Sequence, residues 1–241
     1  MRFDVGLIGG TGTAELLRVR GAGLVRIPTP FGILRGQEAM IGRRRAVIVS
    51  RHGVGHKVPP HAINYRAIAS GLAAVGVRAC FSTAATGSLR LDWPSGTFVL
   101  CKDFVDLTAR NLTMFERQVV HTDFSTPFGP KGAAALQRAS QEASAALQSG
   151  IYVCGNGPRY ETPHEIRLYQ KLGDVVGMTA ATEAILMREA SIDYSCLAVV
   201  TNAAAGIEGA ELSHEEVVAE MRRSGQRAVE LLWRAAEVVE L

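Results

Sequence analysis

Residues 5–13 read VGLIGGTGT, an apolar strand that runs straight into a knot of glycines. Glycines in that place bring backbone N–H groups close to an anion, because no Cβ stands between them. Two anions fit, the pyrophosphate of a dinucleotide or a single phosphate, and they imply different proteins. A dinucleotide fold needs a long helix after the glycines and then a second strand ending in an acidic residue that holds the ribose. Thr13–Arg18 allows at most two helical turns before Gly21, and PTPFG (28–32) follows where the second strand should lie. No acidic residue occurs between Glu15 and Glu38. The pattern therefore favours a turn whose amides, helped by the Thr11 hydroxyl, cradle one phosphate.

Short apolar runs bounded by Gly, Pro or Asp alternate with helical patterns along the rest of the chain. Strands are expected at 4–8, 45–49, 79–83, 97–101, 150–154, 174–177 and 194–201, and helices at 60–75, 130–148, 163–172, 181–190 and 213–239. The last helix opens on Ser213 with Glu216 three residues on, the spacing of a capping box. This alternation predicts an α/β fold, a three-layer α/β/α sandwich around a central mixed sheet. With no linker or repeat, residues 1–241 are read as one domain. The stretch from Asp103 to Phe128 has no clear periodicity, and a loop that long in a compact domain is more often functional than idle.

Composition bounds the function. The chain has 241 residues, 47% of them hydrophobic and 20% charged, and a formal net charge of +3. That mild excess is spread out, and its densest run, Arg43-Arg44-Arg45, reads as a solvated turn, so no nucleic-acid partner is expected. No apolar run approaches a membrane span. Cys80, Cys101, Cys154 and Cys196 sit singly inside apolar runs without metal spacing, as buried reduced thiols of a cytoplasmic protein. The first strand begins at once, so no export signal is expected, and neither a metal nor an organic cofactor is called for.

A phosphate site needs cationic and hydroxyl partners, and they occur at strand ends: SRHG (50–53) follows AVIV, and GMT (177–179) follows DVV. With these motifs in view the chain resembles the trimeric purine nucleoside phosphorylases, and most closely their methylthioadenosine phosphorylase branch. VGLIGGTG, TPFG, SRHGVGHKVPPHAINYRA, STAATGSLR, GNGPRYETPHEI, VVGMTAATEAILMREA and VVTNAAAG occur in the family's order and approximate spacing, from residue 4 to about 220. The resemblance implies a homotrimer that uses inorganic phosphate, as a co-substrate, to displace a purine from C1′ of a nucleoside.

By the same resemblance, Thr11, Arg51, His52, Ala84 and Thr179 surround the phosphate. Ala85, Tyr160 and Met178 pack against the nucleoside, with Tyr160 on the purine and Met178 under the ribose. The base is chosen at Glu161 and Asn202, which together with His52 form the implied catalytic set. Family members that cleave 6-aminopurines carry Asp at the position of Asn202 and a small hydroxyl residue at that of Glu161, whereas this chain has the pair of the 6-oxopurine enzymes. The chemistry agrees, because N1–H of a 6-oxopurine can donate to a carboxylate, while N1 of adenine is itself an acceptor. The Asn202 amide can donate to O6 and accept from N7–H as the base leaves.

The sugar 5′ end is read from two histidines. His121, in HTDFSTPF (121–128), resembles a residue that reaches a neighbouring subunit's site. His214, in SHEEV (213–217), resembles a histidine that binds a 5′-hydroxyl, where methylthio-specific relatives carry an apolar residue. The leading expectation is therefore phosphorolysis of inosine and guanosine. S-methyl-5′-thioinosine phosphorolysis is the alternative, followed by that of S-methyl-5′-thioadenosine, with a non-catalytic nucleoside-binding protein as the reading from another class. Arg51→Ala is expected to abolish phosphorolysis and to leave the fold intact.

Overall fold

Val5–Gly9 (β1) is buried along its whole length, the mark of a strand covered on both faces. It lies parallel between Arg44–Ser50 (β4) and Ala79–Ser88 (β5) in a computed structural model that describes residues 2–207 and 213–241. Leu24–Thr29 (β2) and Gly32–Ile41 (β3) form an antiparallel hairpin that extends the sheet beyond β4. The remaining strands are Phe98–Asp106 (β6), Leu147–Cys154 (β7), Val175–Gly177 (β8) and Asp193–Ala203 (β9). The sheet runs β2-β3-β4-β1-β5-β8-β7-β6-β9, and β9 also pairs in parallel with β5. That last pairing closes β5, β8, β7, β6 and β9 into a ring.

Helices cover both faces. Tyr65–Ala74 (α1) and Ala180–Glu189 (α4) bury Ile68, Leu72, Ala184 and Leu186 against Ile8 and Val47. Pro130–Glu142 (α2) and His214–Val238 (α5) bury Leu136, Ala139, Met221 and Leu232 against Val5, Leu7 and Phe81 on the opposite face. Pro163–Tyr169 (α3) seals a smaller core with Val153 and Val176. The architecture is the α/β/α arrangement on a mixed sheet that the alternation predicts. Ser213 accepts from the Glu216 N–H at 3.2 Å, so α5 opens where its cap places it.

Several expectations need correction. The hairpin β2–β3 is absent from the expected strands, because Pro28, Pro30 and charged Arg26 and Arg35 interrupt its pattern. Such residues suit an edge, where one ladder is unused. PTPFG is its turn, held by the Thr29 hydroxyl donating to the Gly32 carbonyl at 2.7 Å. The helix expected over 130–148 ends at Glu142, since Ser144 turns the chain at φ 49° and Leu147 begins β7. The one expected over 60–75 is divided into a 3₁₀ turn at Pro60–Ala62 and α1. Of the long irregular stretch, Asp103–Asp106 belongs to β6.

The triple-arginine run is only partly a solvated turn. Arg43 is exposed, but Arg44 donates to the Val239 carbonyl, and Arg45 bonds Glu38 at 2.7 and 3.0 Å and lies over the Phe3 ring. All four cysteines are buried and free. Among the described residues no helix is long and apolar enough to cross a membrane.

Candidate active site

Residues from the ends of β1, β4, β8 and β9 and from the last part of β5 enclose a cavity of about 400 Å³. It is within the size range of small-ligand sites. Thr11, Arg51, His52, Ala84, Ala85, Tyr160, Glu161, Met178, Thr179, Asn202 and His214 all line it. Of the residues singled out from the sequence, His121 alone does not, and it is exposed.

The glycine knot proves to be a packing device as much as an anion cradle. A Cβ on Gly9 would overlap the backbone of Ala14, and one on Gly10 would overlap Nη1 of Arg51. The turn therefore closes tightly against the guanidinium. Thr13, not Thr11, is its buried lock: its hydroxyl accepts from the Gly10 N–H at 3.1 Å and bonds the Thr83 hydroxyl at 2.6 Å. Thr11 is left facing the cavity.

Arg51 is fixed from behind. Its Nε and Nη2 donate to the two oxygens of Glu183 at 2.5 and 2.8 Å, and its Nη1 donates to the Thr83 carbonyl at 3.0 Å. Both side chains of the pair are 1% exposed. Burial alone would lower the Arg51 pKa, but the charge and hydrogen bonds of Glu183 outweigh it and hold the arginine firmly protonated. Glu183 in turn accepts from the Tyr194 hydroxyl at 2.6 Å, and Tyr194 bonds Ser82 at 2.7 Å.

His52 faces the same end of the cavity. Its Nδ1 is 2.8 Å from the Val58 carbonyl, which can only accept, so Nδ1 carries the proton. Burial first, and the Arg51 charge second, lower the His52 pKa to about 4. The ring is therefore neutral at pH 7, and Nε2 is left as an acceptor, whose natural partner is a hydroxyl. Thr179 caps α4 without a side-chain capping bond, so its hydroxyl remains available at the positive end of that helix.

At the other end, a bulge sets Asn202. Thr86 opposes Val200 and Gly87 opposes Asn202, so Thr201 is the extra residue on β9, and such bulges re-aim side chains beside sites. Asn202 Nδ2 donates to the Ala203 carbonyl at 2.7 Å and its Oδ1 accepts from the Thr201 hydroxyl at 2.8 Å. One N–H and one lone pair are left for a ligand. Glu161 is not the helix-entry cap: Thr162 and Glu165 form the capping box of α3. Its carboxylate is free to face the cavity, beside Gly155, where a side chain would collide with it. Burial raises its pKa.

The fold agrees with known relatives. The sequence model of the phosphorylase superfamily matches residues 4–237. The chain belongs to this superfamily. It is 39% identical, over 98% of its length and 93% of the relative's, to a probable S-methyl-5′-thioinosine phosphorylase of Methanopyrus kandleri. It is 38% identical, over 88% of its length and 84% of the relative's, to the 6-oxopurine nucleoside phosphorylase of Pyrococcus furiosus. A methylthioadenosine phosphorylase of Schistosoma mansoni in complex with adenine superposes with a TM-score of 0.90 at 29% identity, covering 98% of this chain and 91% of that one.

Within this phosphorylase superfamily fold, four residues were not legible as site residues in the sequence. Glu183 is an acid amid the alanines and larger apolar residues of α4, and that misfit was the available signal for a buried partner. His56 stacks between His52, at 4.2 Å between ring centroids, and His214, at 6.1 Å. Val217 lines the cavity one turn beyond His214. Arg110, in the irregular segment, donates to the Asn156 side chain at 2.9 Å, the Met178 carbonyl at 3.1 Å and the Thr182 hydroxyl at 3.1 Å. It thereby ties the loop at Asn156 to the Met178–Thr182 segment. Asn64, by contrast, is structural: it caps α1 through the Ala67 N–H and holds the hairpin turn at the Phe31 carbonyl.

The ion pair overturns the expectation that Arg51→Ala leaves the fold intact. That change strands a buried carboxylate, and breaking such a pair costs about 3–5 kcal/mol. Urea denaturation should therefore find Arg51→Ala strongly destabilised, with much of the loss recovered in Arg51→Met/Glu183→Gln. A wild-type midpoint for Arg51→Ala would refute the pairing.

The depressed His52 pKa predicts a second effect. The unfolded chain takes up a proton near pH 6.5 that folded His52 accepts only near pH 4, so stability falls as pH drops through that window. The His52→Gln variant should lose part of this slope, measured as denaturation midpoint against pH.

Proposed function

We propose that the protein catalyses phosphate-dependent cleavage of 6-oxopurine nucleosides, releasing the free base and ribose 1-phosphate. The observation that carries this reading is that Glu161 and Asn202 face one cavity with Arg51, His52, Thr11 and Thr179. The names of the Pyrococcus furiosus and Methanopyrus kandleri relatives support the same base.

In this reading Arg51, Thr11, Thr179 and the amides near Ala84 hold phosphate below C1′. The C1′–O bond to phosphate forms as C1′–N9 breaks, through an oxocarbenium-like sugar. Nε2 of His52 accepts from the P–OH of hydrogen phosphate, the proton that the displacement must move. Glu161 accepts from N1–H of the base, and the free N–H of Asn202 donates to O6. N7 carries no hydrogen in the nucleoside and takes a proton from solvent as the base leaves, balancing the one that phosphate gives up. Asn202 Oδ1 accepts from the N7–H so formed. Charge that develops on the departing purine is thus met by fixed groups. Tyr160 and Met178 flank base and ribose. No metal or organic cofactor has a part in this scheme, and the four buried thiols favour a reducing compartment, the cytoplasm.

A second reading changes only the sugar. Val217 beside His214 offers an apolar contact for a 5′-methylthio group, and the Methanopyrus kandleri relative is named for S-methyl-5′-thioinosine. The deciding assay is a panel of inosine, guanosine, adenosine, methylthioadenosine and methylthioinosine, each with and without phosphate. Phosphate-dependent release of hypoxanthine is expected, and a preference for the 6-aminopurines overturns the base assignment. Asn202→Asp should lower inosine cleavage and raise the adenosine-to-inosine ratio by about tenfold or more, further when combined with Glu161→Ser. Desolvation in the closed pocket would favour the protonated form of the introduced carboxyl, whose single O–H could then donate to N7 of adenine.

The assembly proposed is a homotrimer, in which the exposed Val119, Val120 and His121 meet a neighbouring subunit. Native mass spectrometry should give three times the chain mass, and a monomer at working concentration removes this reading.

A further inference from the structure

The sequence motif supplies Arg51 as a cation for phosphate, yet the structure spends that charge on Glu183. The carboxylate occupies the Nε–Nη2 edge of the guanidinium, and the Thr83 carbonyl takes an Nη1 hydrogen. Gly10 closes over Nη1. What remains for the cavity is a pair of oriented N–H donors on a pair of side chains with no net charge. Nearby, His52 has its one proton committed to Val58. Among the described residues, the other ionisable groups that line the cavity are exposed Lys57, Glu161, Tyr160, His56 and His214. Lys57 and Glu161 are of opposite sign, as Arg51 and Glu183 are. The phosphate end is a cradle of dipoles.

We propose that Glu183 is a positioning residue that aims Arg51 into the cavity and cancels its charge, so that bound phosphate keeps its own negative charge for the forming sugar cation. The inference rests on the phosphorolysis reading. Physically, an uncompensated guanidinium would bind phosphate more tightly in the ground state and repel the oxocarbenium carbon that forms beside it. Interactions that favour the ground state over the transition state lower kcat. Glu183 avoids this: phosphate is held by hydrogen-bond geometry, and its opposite charge is completed by the substrate itself. Tyr194 and Ser82 orient the carboxylate through a hydroxyl relay of 2.6 and 2.7 Å.

The test is Glu183→Gln, which removes the charge and keeps the shape. Expected are a KM for phosphate at least about fivefold lower, a kcat at least about tenfold lower, and a nucleoside KM within about twofold of wild type. Glu183→Asp, which retains the charge at a shorter reach, should lower kcat without lowering the phosphate KM. A phosphate KM that is unchanged or higher in Glu183→Gln overturns the proposal, because a merely structural carboxylate predicts that outcome.

A measurement on the wild-type protein stands if the variants do not fold. The ³¹P resonance of bound inorganic phosphate, without nucleoside, should titrate close to free phosphate between about pH 5.5 and 8. A resonance fixed in the dianionic position throughout would mean an uncompensated cationic cradle, and would overturn the proposal. Failure of wild type to cleave any nucleoside defeats the phosphorolysis reading alone, because the phosphate titration is independent of it.

Discussion

A guanidinium and a carboxylate, each 1% exposed, meet where the end of β4 touches helix α4. A buried cation without a partner is intolerable, and so is a buried carboxylate. The pair therefore dictates much around it. Glycine is required at position 10 because the guanidinium occupies the space of a Cβ. Tyr194 and Ser82 are polar inside a core because the carboxylate has lone pairs left to satisfy. Helix α4 is held with its N-terminus at the cavity because Glu183, one turn in, is fastened to β4. The same contact that joins two layers of the fold sets the direction of the donors in the site.

Each functional group in the cavity is prepared by a neighbour that uses up its other options. The Val58 carbonyl takes one nitrogen of His52 and so makes the other an acceptor. The Ala203 carbonyl and the Thr201 hydroxyl take half of the Asn202 amide, leaving one donor and one acceptor with a defined sense. The capping box of Thr162 and Glu165 relieves Glu161 of any duty at the start of α3. This removal of alternatives makes the cavity selective, since a wrong ligand leaves a buried polar group unpaired at about 1–3 kcal/mol.

The histidine side of the cavity is built differently. His56 lies between His52 and His214, with Val217 close by, so polar and apolar contacts lie side by side. Two groups of relatives, one named for nucleosides and one for methylthio-nucleosides, stand at nearly the same identity to this chain. A pocket that changes by one or two side chains is consistent with so small a separation between them.

The sequence by itself determined the layers, most strands, the last helix and its cap, and eleven residues that now line one cavity. It could do so because these features are local: a strand's period, a capping spacing, or a motif whose residues sit at strand ends. The irregular edge hairpin escaped it, since its prolines interrupt the strand pattern and are tolerated only where a ladder is unused. So did the end of α2 at Ser144, where a positive φ falls on a residue other than glycine. Tertiary structure alone decided the ring closed by β9 and β5, the bulge that turns Asn202, and above all the partner of Arg51. Glu183 lies 132 residues further along the chain, and pairing across that distance leaves no periodic trace. It follows from the low dielectric of the core, which requires each buried charge to find its opposite wherever the fold brings one.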